Sequence, residues 1–401
     1  MSWKRTFAFA FAAQLLGVVG ISFATPFLPF FVAELGVEES GRQAFWAGIV
    51  LASGGVTFAL FAPIWGILAD RYGRKPMVCR AMFGAAVAVL LMSFARTIPQ
   101  MVLFRMVQGA FSGTLAASIA LVASVVPLTR SGLTLGMMQA AVFVGNAVGP
   151  LIGGLAADAF GYRTSFRIGA GLTFLGGLLV LLGTQDRFTP PDPNVPDDSP
   201  GFRKILLVPG FLISVTVLLS VRMSNSIANP SFPLIVREIV DAPQRLNSIT
   251  GSVIGAAAIA AAIAAALLGH LGDRLGRREI LIGCCVGASL ASIGHYYAHD
   301  IPTLFGARVL FGFSVAGMLP TANAMIHERV DPRSIGKAYG LATSLSMLGI
   351  ALGPTIGGTL AMHAGLRVPF LVTAGAQVGL AAIVLLVLRE KRGDRACVSR
   401  E

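Results

Sequence analysis

GMMQAAVFVGNAVGPLIGG, residues 136–154, returns as GLATSLSMLGIALGPTIGG at residues 340–358. Gly136, Gly145, Gly149, Pro150, Gly153 and Gly154 keep their spacing in Gly340, Gly349, Gly353, Pro354, Gly357 and Gly358. Working outward, Asp70-Arg71 with Gly73-Arg74 recurs as Asp273-Arg274 with Gly276-Arg277. Arg105 and Gly109 recur as Arg308 and Gly312, and Pro26 and Pro29 as Pro230 and Pro233. The offset stays at 203 or 204, so one unit is duplicated head to tail.

Each unit is too apolar for water. Hydrophobic residues make up 55% of the 401 and charged residues 12%, and the mean hydropathy is +0.76. Such a chain uses lipid as its solvent. Apolar stretches of bilayer length predict helices near 6–27, 44–69, 78–96, 100–122, 133–158, 164–184, 205–229, 246–271, 279–298, 302–325, 336–361 and 366–388. Helices are the natural spanning form, because lipid offers backbone groups no partner. The expectation is an all-α membrane protein of about twelve spans, six in each pseudo-repeat. Its parts are a first bundle over 1–184, a Pro-rich linker over 185–204, a second bundle over 205–388 and a tail over 389–401.

The net charge of +12 matters less than its placement. With the N-terminus inside, 21 of the 31 basic residues fall on inner segments, seven outside and three within spans. That asymmetry places both termini in the cytoplasm. It also argues for the membrane, rather than a nucleic acid, as the partner of the positive charge. Lys4-Arg5, the apolar run after them and Ser22-Phe23-Ala24 have the outline of a signal peptide. Pro26-Phe27-Leu28-Pro29 instead ends the first span as Pro230-Ser231-Phe232-Pro233 ends the seventh, so the first helix is expected to stay. The linker carries Pro190, Pro191, Pro193, Pro196 and Pro200 among Asp192, Asp197 and Asp198, a composition that builds no core. Cys79, Cys284, Cys285 and Cys397 suggest no disulfide framework. No nucleotide-binding glycine loop, metal-ligand cluster or catalytic triad stands out, so neither enzyme activity nor a cofactor is expected.

Between the second and third spans lies GILADRYGRKP, residues 66–76, with its copy GHLGDRLGRR at 269–278. Its glycines allow a tight turn between two helices, and Asp70 at a helix end can accept from neighbouring amides or an Arg. The frame of Gly66, Asp70, Arg71, Gly73, Arg74 and Lys75 resembles the signature loop of the major facilitator superfamily. So do Asp273, Arg274, Gly276 and Arg277. In that family the loop latches the cytoplasmic side. On the fourth span Arg105, Gln108 and Ser112 share a face, and Arg105-Met-Val-Gln108-Gly109 resembles the family motif whose Arg is linked to proton movement. Arg308 repeats the position but has Phe311 where Gln108 stands, which suggests a structural role there. The glycine-proline run of the fifth span resembles the motif of drug:proton antiporters in the same superfamily. Glycine every fourth residue gives a smooth face for close helix contact, and Pro150 can bend the helix.

The seventh span carries Arg222, Asn225, Ser226 and Asn229 as one polar stripe. An Arg in a span either faces a cavity or is satisfied by carbonyls near the helix end, and both readings stay open for Arg222. The family's central cavity is lined by spans one, four, seven and ten. That makes Gln14, Ser112, Asn225, Ser226 and Thr321 further wall candidates, with Phe27, Phe30 and Met318 as apolar contacts.

One departure stands out. All 19 acidic residues lie at helix ends, in loops or in the tail. Antiporters of this kind often bury a carboxylate in a core helix, where its pKa rises and it can carry a proton. Here the first span offers Gln14, and the remaining proton-coupling candidates are Glu34, Asp70 and Asp158 beside Arg105 and Gln108. The resemblance implies a bacterial inner-membrane exporter of small amphipathic compounds, exchanging them for protons and acting as a monomer. The alternatives are a sugar- or nutrient-type carrier, a uniporter, or a non-transporting membrane receptor or scaffold.

Overall fold

A computed structural model describes residues 3–186, 209–327 and 335–387. Most of the expected linker over 185–204 and the tail over 389–401 fall outside the described residues, as does Cys397. The described chain is helical from end to end. In order, the helices are α1 Trp3–Ser22, α2 Leu28–Glu34, α3 Ser40–Tyr72, α4 Arg74–Met92, α5 Ile98–Phe111, α6 Thr114–Val125 and α7 Leu128–Gly183. There follow α8 Pro209–Ile227, α9 Phe232–Ile239, α10 Leu246–Leu275, α11 Arg277–Tyr297, α12 Ile301–Ala316, α13 Met318–His327, α14 Ile335–Ala364 and α15 Val368–Val387.

Ten helical stretches are long and apolar enough to cross a bilayer. One of them, Thr129–Gly183, is two passes. Gly161 breaks it with a φ of 78°, a left-handed conformation that glycine adopts without steric cost. The packing shows the reversal. Before the break, Gly145 meets Val18 and Gly153 meets Phe23, rising along α1 together. After it, Gly169 meets Gly20 and Gly183 meets Phe9, running back. The count of ten covers the described residues and does not include the seventh span, α8 with α9. These counts are consistent with the twelve passes expected.

The duplication extends to the backbone. α1 gives way to α2 at a turn holding Pro26, and α8 to α9 at one holding Pro230. Gly73 and Gly276 turn the chain with φ of 92° and 103°, as do Gly161 and Gly365 with 78° and 103°. The fourth and tenth spans, expected continuous over 100–122 and 302–325, are each broken. Gly113, with φ 113°, separates α5 from α6, and Gly317 separates α12 from α13.

Large apolar side chains such as Ile67, Leu182 and Leu386 stand exposed on the outer surface, as lipid-facing positions do. The interior is packed by small residues. Across one seam α3 meets α14: a Cβ on Gly48 would overlap the Pro354 carbonyl oxygen, and one on Gly55 would lie 3.2 Å from Ala351. Across the other, α7 meets α10, where a Cβ on Gly251 would overlap the Pro150 carbonyl oxygen. Both seams are tight toward the end that carries Asp158 and Gly41. Toward the opposite end, a Cβ on Gly66, Gly132 or Gly136 would meet nothing within 4 Å among the described residues outside its own helix.

Candidate functional site

Between the seams lies a cavity of about 430 Å³. α1 and the turn after it contribute Ser22, Thr25 and Pro26. α5 gives Arg105, α7 gives Asn146 and Pro150, the α8–α9 turn gives Asn229 and Phe232, and α12 gives Arg308, Phe311 and Val315. The walls are mostly apolar, with two asparagines and two guanidiniums. No carboxylate or imidazole is among the lining residues.

The two arginines are repeat mates held in different ways. Arg105 donates through Nη1 to the Gln108 Oε1 one turn on, and its stem lies over Gly54 of α3, where a Cβ would be 3.2 Å away. In the second repeat Phe311 replaces Gln108. The Arg308 guanidinium lies 4.1 Å from the centre of the Phe232 ring and 5.7 Å from that of Phe311. A ring face holds a cation but accepts no conventional hydrogen bond. Arg308 Nε is buried without a partner among the described residues. The sequence reading gave Arg308 a structural role; the structure puts it on the cavity wall opposite the other repeat. Its repeat position was the available signal, and the loss of Gln108's counterpart masked it.

His295 was missed too. It is buried, stacks on Phe370 at 5.1 Å and sits edge-on to Phe232 and Phe311. It lines a narrow pocket with Arg308 and Asn229.

The polar stripe of the seventh span is shared out. Asn229 lines the cavity. Ser226 Oγ donates to Arg222 O at 2.8 Å and Gly349 O at 3.3 Å, matching Ser22 on Val18 O at 2.6 Å and Gly145 O at 3.1 Å. Asn225 Oδ1 accepts from Gln377 Nε2 at 3.0 Å in the twelfth span. Arg222 takes the place Val18 has in the first repeat, packed beside Gly349, and is not among the cavity-lining residues. Gln14 is buried in α1, its Oε1 unpartnered. Ser112 sits at the break after α5 and donates to Gln108 O at 2.9 Å. Thr321 Oγ1 donates to the carbonyl of Gly317, just before its own helix, at 2.7 Å. Phe27, Phe30 and Met318 are in apolar clusters rather than on the cavity wall.

Glu34 pairs with Arg163 at 3.1 Å. Asp158, near the end of the fifth span, accepts from the Asn247 and Ser248 amides at 3.1 and 2.8 Å and from Asn247 Nδ2 at 2.8 Å. In the signature loop, the amides of Arg74 and Lys75 donate to Asp186 Oδ2 at 2.6 and 3.0 Å, capping α4. Lys75 Nζ reaches Thr184 O at 2.7 Å, and Arg71 lies over Tyr72. The side chains of Asp70, Asp273 and Arg274 lie outside the described residues. Arg277 follows the Gly276 turn.

The antiporter-type glycines divide between two jobs. Gly145, Gly149 and Gly153 pack against Val18, Ser22 and Phe23 within their own repeat, while Gly154 meets Asn247 and Ser248 across the seam. The second copy does the same, with Gly349, Gly353 and Gly357 on α8 and Gly358 on Ala44 and Phe45 of α3.

The family model described as Major Facilitator Superfamily matches residues 10–223 and 215–400. The chain is 32% identical over 380 residues to the multidrug resistance protein MdtG of Citrobacter koseri, covering 94% of this chain and 93% of the relative. It is 28% identical over 386 residues to the multi-drug resistance efflux pump PmrA of Streptococcus pneumoniae, covering 93% and 94%. Among solved structures, the nucleoside transporter NupG superposes with a TM-score of 0.78 at 14% identity, covering 95% of this chain and all of that one. The human organic anion transporter MFSD10 gives 0.70 at 15% identity, covering 96% and 100%.

Proposed function

The chain belongs to the major facilitator superfamily, and we propose that it exports small amphipathic compounds by alternating access, in exchange for protons. The observation that carries this reading is the pair of seams, close-packed at one end of the cavity, while at the other a Cβ on Gly66, Gly132 or Gly136 meets no described residue outside its own helix. Two bodies hinged in this way expose a central site to one side at a time. The bodies are residues 1–184 and 205–388, joined by the linker over 185–204. The distribution of Lys and Arg supports a cytoplasmic position, at a bacterial inner membrane, for the parted end and both termini. The efflux function named for MdtG and PmrA supports outward export. A proton entering down a membrane potential releases about 2.3 kcal/mol per 100 mV, enough for one to two decades of gradient.

A uniporter is the second reading, favoured by the absence of a carboxylate from the cavity lining. Liposomes holding a pH-sensitive dye and the reconstituted protein separate the two. Under an imposed proton gradient, antiport predicts a pH change that depends on the compound. Flux without proton movement indicates uniport. No flux of cationic, neutral or anionic amphiphiles overturns the transport reading.

A further inference from the structure

We propose that the cavity takes an anionic amphipath, its acid group held by Arg105 and Arg308 and its apolar body lying on Phe232, Pro26 and Val315. This names the substrate class of the site and rests on the transport reading for its physiological meaning.

Both guanidiniums stay charged at any physiological pH. Charge in a low-dielectric region is costly without a partner. Arg105 has the neutral oxygen of Gln108, and Arg308 has two ring faces. Neither meets a carboxylate among the described residues, and the cavity lining supplies none. The cavity wall therefore carries two positive charges, and no described residue supplies a counter-charge. A cation entering it would add a third. A sulfonate, phosphonate or carboxylate would neutralise one or both, and its oxygens match the planar fork of guanidinium donors. The buried Nε of Arg308 has no partner among the described residues and can donate to such a group.

The remaining lining selects an apolar body. Pro26, Phe232, Phe311 and Val315 give flat, rigid surface, and a volume of about 430 Å³ falls in the range of drug-sized sites. A diacyl lipid is too large for it. Anion export also runs downhill electrically from a negative interior, so a wall without a carboxylate is no obstacle to it.

Three probes sharing one ring system test the assignment: 2-naphthalenesulfonate, 2-naphthalenesulfonamide and a (2-naphthylmethyl)trimethylammonium ion. Binding is measured to the full chain in phosphatidylcholine nanodiscs, with and without phosphatidylglycerol. The sulfonate is expected to bind at least about tenfold tighter than the other two, and Arg105→Gln and Arg308→Gln each to weaken it about tenfold. Arg308→Lys should retain part of that affinity, which covers the case in which Arg308→Gln does not fold. Equal or tighter binding of the neutral or cationic probe overturns the proposal. So does unchanged affinity in a folded Arg308→Gln protein, or displacement of the sulfonate by phosphatidylglycerol. Reconstituted flux separates the two readings. Transport of the cation alone ends the anion assignment and leaves the transporter standing. Tight sulfonate binding with no flux of any probe keeps the site and ends the transport reading.

Discussion

Asp158, three residues before the Gly161 break, caps a helix that belongs to the other repeat: its Oδ1 accepts from the Asn247 amide at 3.1 Å and its Oδ2 from the Ser248 amide at 2.8 Å. α10 has no side-chain cap of its own, so the first turn depends on a carboxylate across the seam. Negative charge suits that position, since helix N-termini carry partial positive charge.

In the proposed alternating motion the cap would be lost when this end of the cavity opens. Asp158→Ala should cost the closed state about 1–2 kcal/mol, the usual worth of an N-cap, and raise the population open at this end about tenfold. Spin labels on the exposed positions Glu38 and Asp241 would report it as a longer inter-label distance. An unchanged distance distribution would show that glycine packing alone keeps this end shut.

Arg237 forms a second tie across the α3–α14 side of the molecule. Its Nη2 donates to Ser40 Oγ and Gln43 Oε1, each at 2.9 Å, joining α9 to the start of α3. Gln43 is itself fixed by donating to Val37 O at 2.7 Å. Arg237→Gln should act in the same direction as Asp158→Ala, by about 1 kcal/mol, since the charge-assisted bonds are only part-buried. The two ties share no partner, so their free-energy effects should add. The same labels read the double variant. Strong non-additivity would mean that one seam opens before the other.

Apolar stretches made the spans legible in the sequence, and the duplicated glycines and prolines the two-fold architecture. Their steric demands are local, and an offset of 204 residues exposes them twice. The partner of Asp158 was not legible, because nothing in residues 150–160 points to a helix start 89 positions away. The seventh span shows the same limit. Periodicity put Arg222, Asn225, Ser226 and Asn229 on one side of a helix, yet the helix ends at Ile227, Asn229 falls in the turn after it, and the four serve Gly349, Gln377 and the cavity in turn. A polar face identifies a side, and only packing identifies the neighbour. For Arg308 the repeat gave the correct position, and the exchange of Gln108 for Phe311 hid that both mates face one cavity.

Glycines within a repeat and across the seam should fail in different ways. A Cβ on Gly153 overlaps the Phe23 carbonyl oxygen within the first repeat, and a Cβ on Gly251 overlaps the Pro150 carbonyl oxygen between repeats. Overpacking costs about 1–3 kcal/mol. Gly153→Ala should spend it on the fold and lower Tm. Gly251→Ala should leave the separate bundles intact and shift the protein toward opening at the Asp158 end. Thermal unfolding beside the inter-label distance distinguishes the two, and equal losses of Tm would deny that the seam moves.

Gly136 poses the converse case. No atom lies within 4 Å of a Cβ there, so nothing in this state requires glycine, and replacing it with a helix former should gain up to about 1 kcal/mol of helix propensity. Yet Gly340 repeats it. The proposed alternating motion supplies a requirement: in it the parted end closes and α7 meets a neighbour at this level. Gly136→Leu should therefore fold normally, keep or raise its Tm, bind ligand from the open side and fail to turn over, trapped in the form described. Gly136→Ala should retain much of the flux, since one methyl is a smaller obstacle. If Gly136→Leu transports at the normal rate, the parted end does not close against this face, and the alternating motion must pivot elsewhere than on the glycine seam.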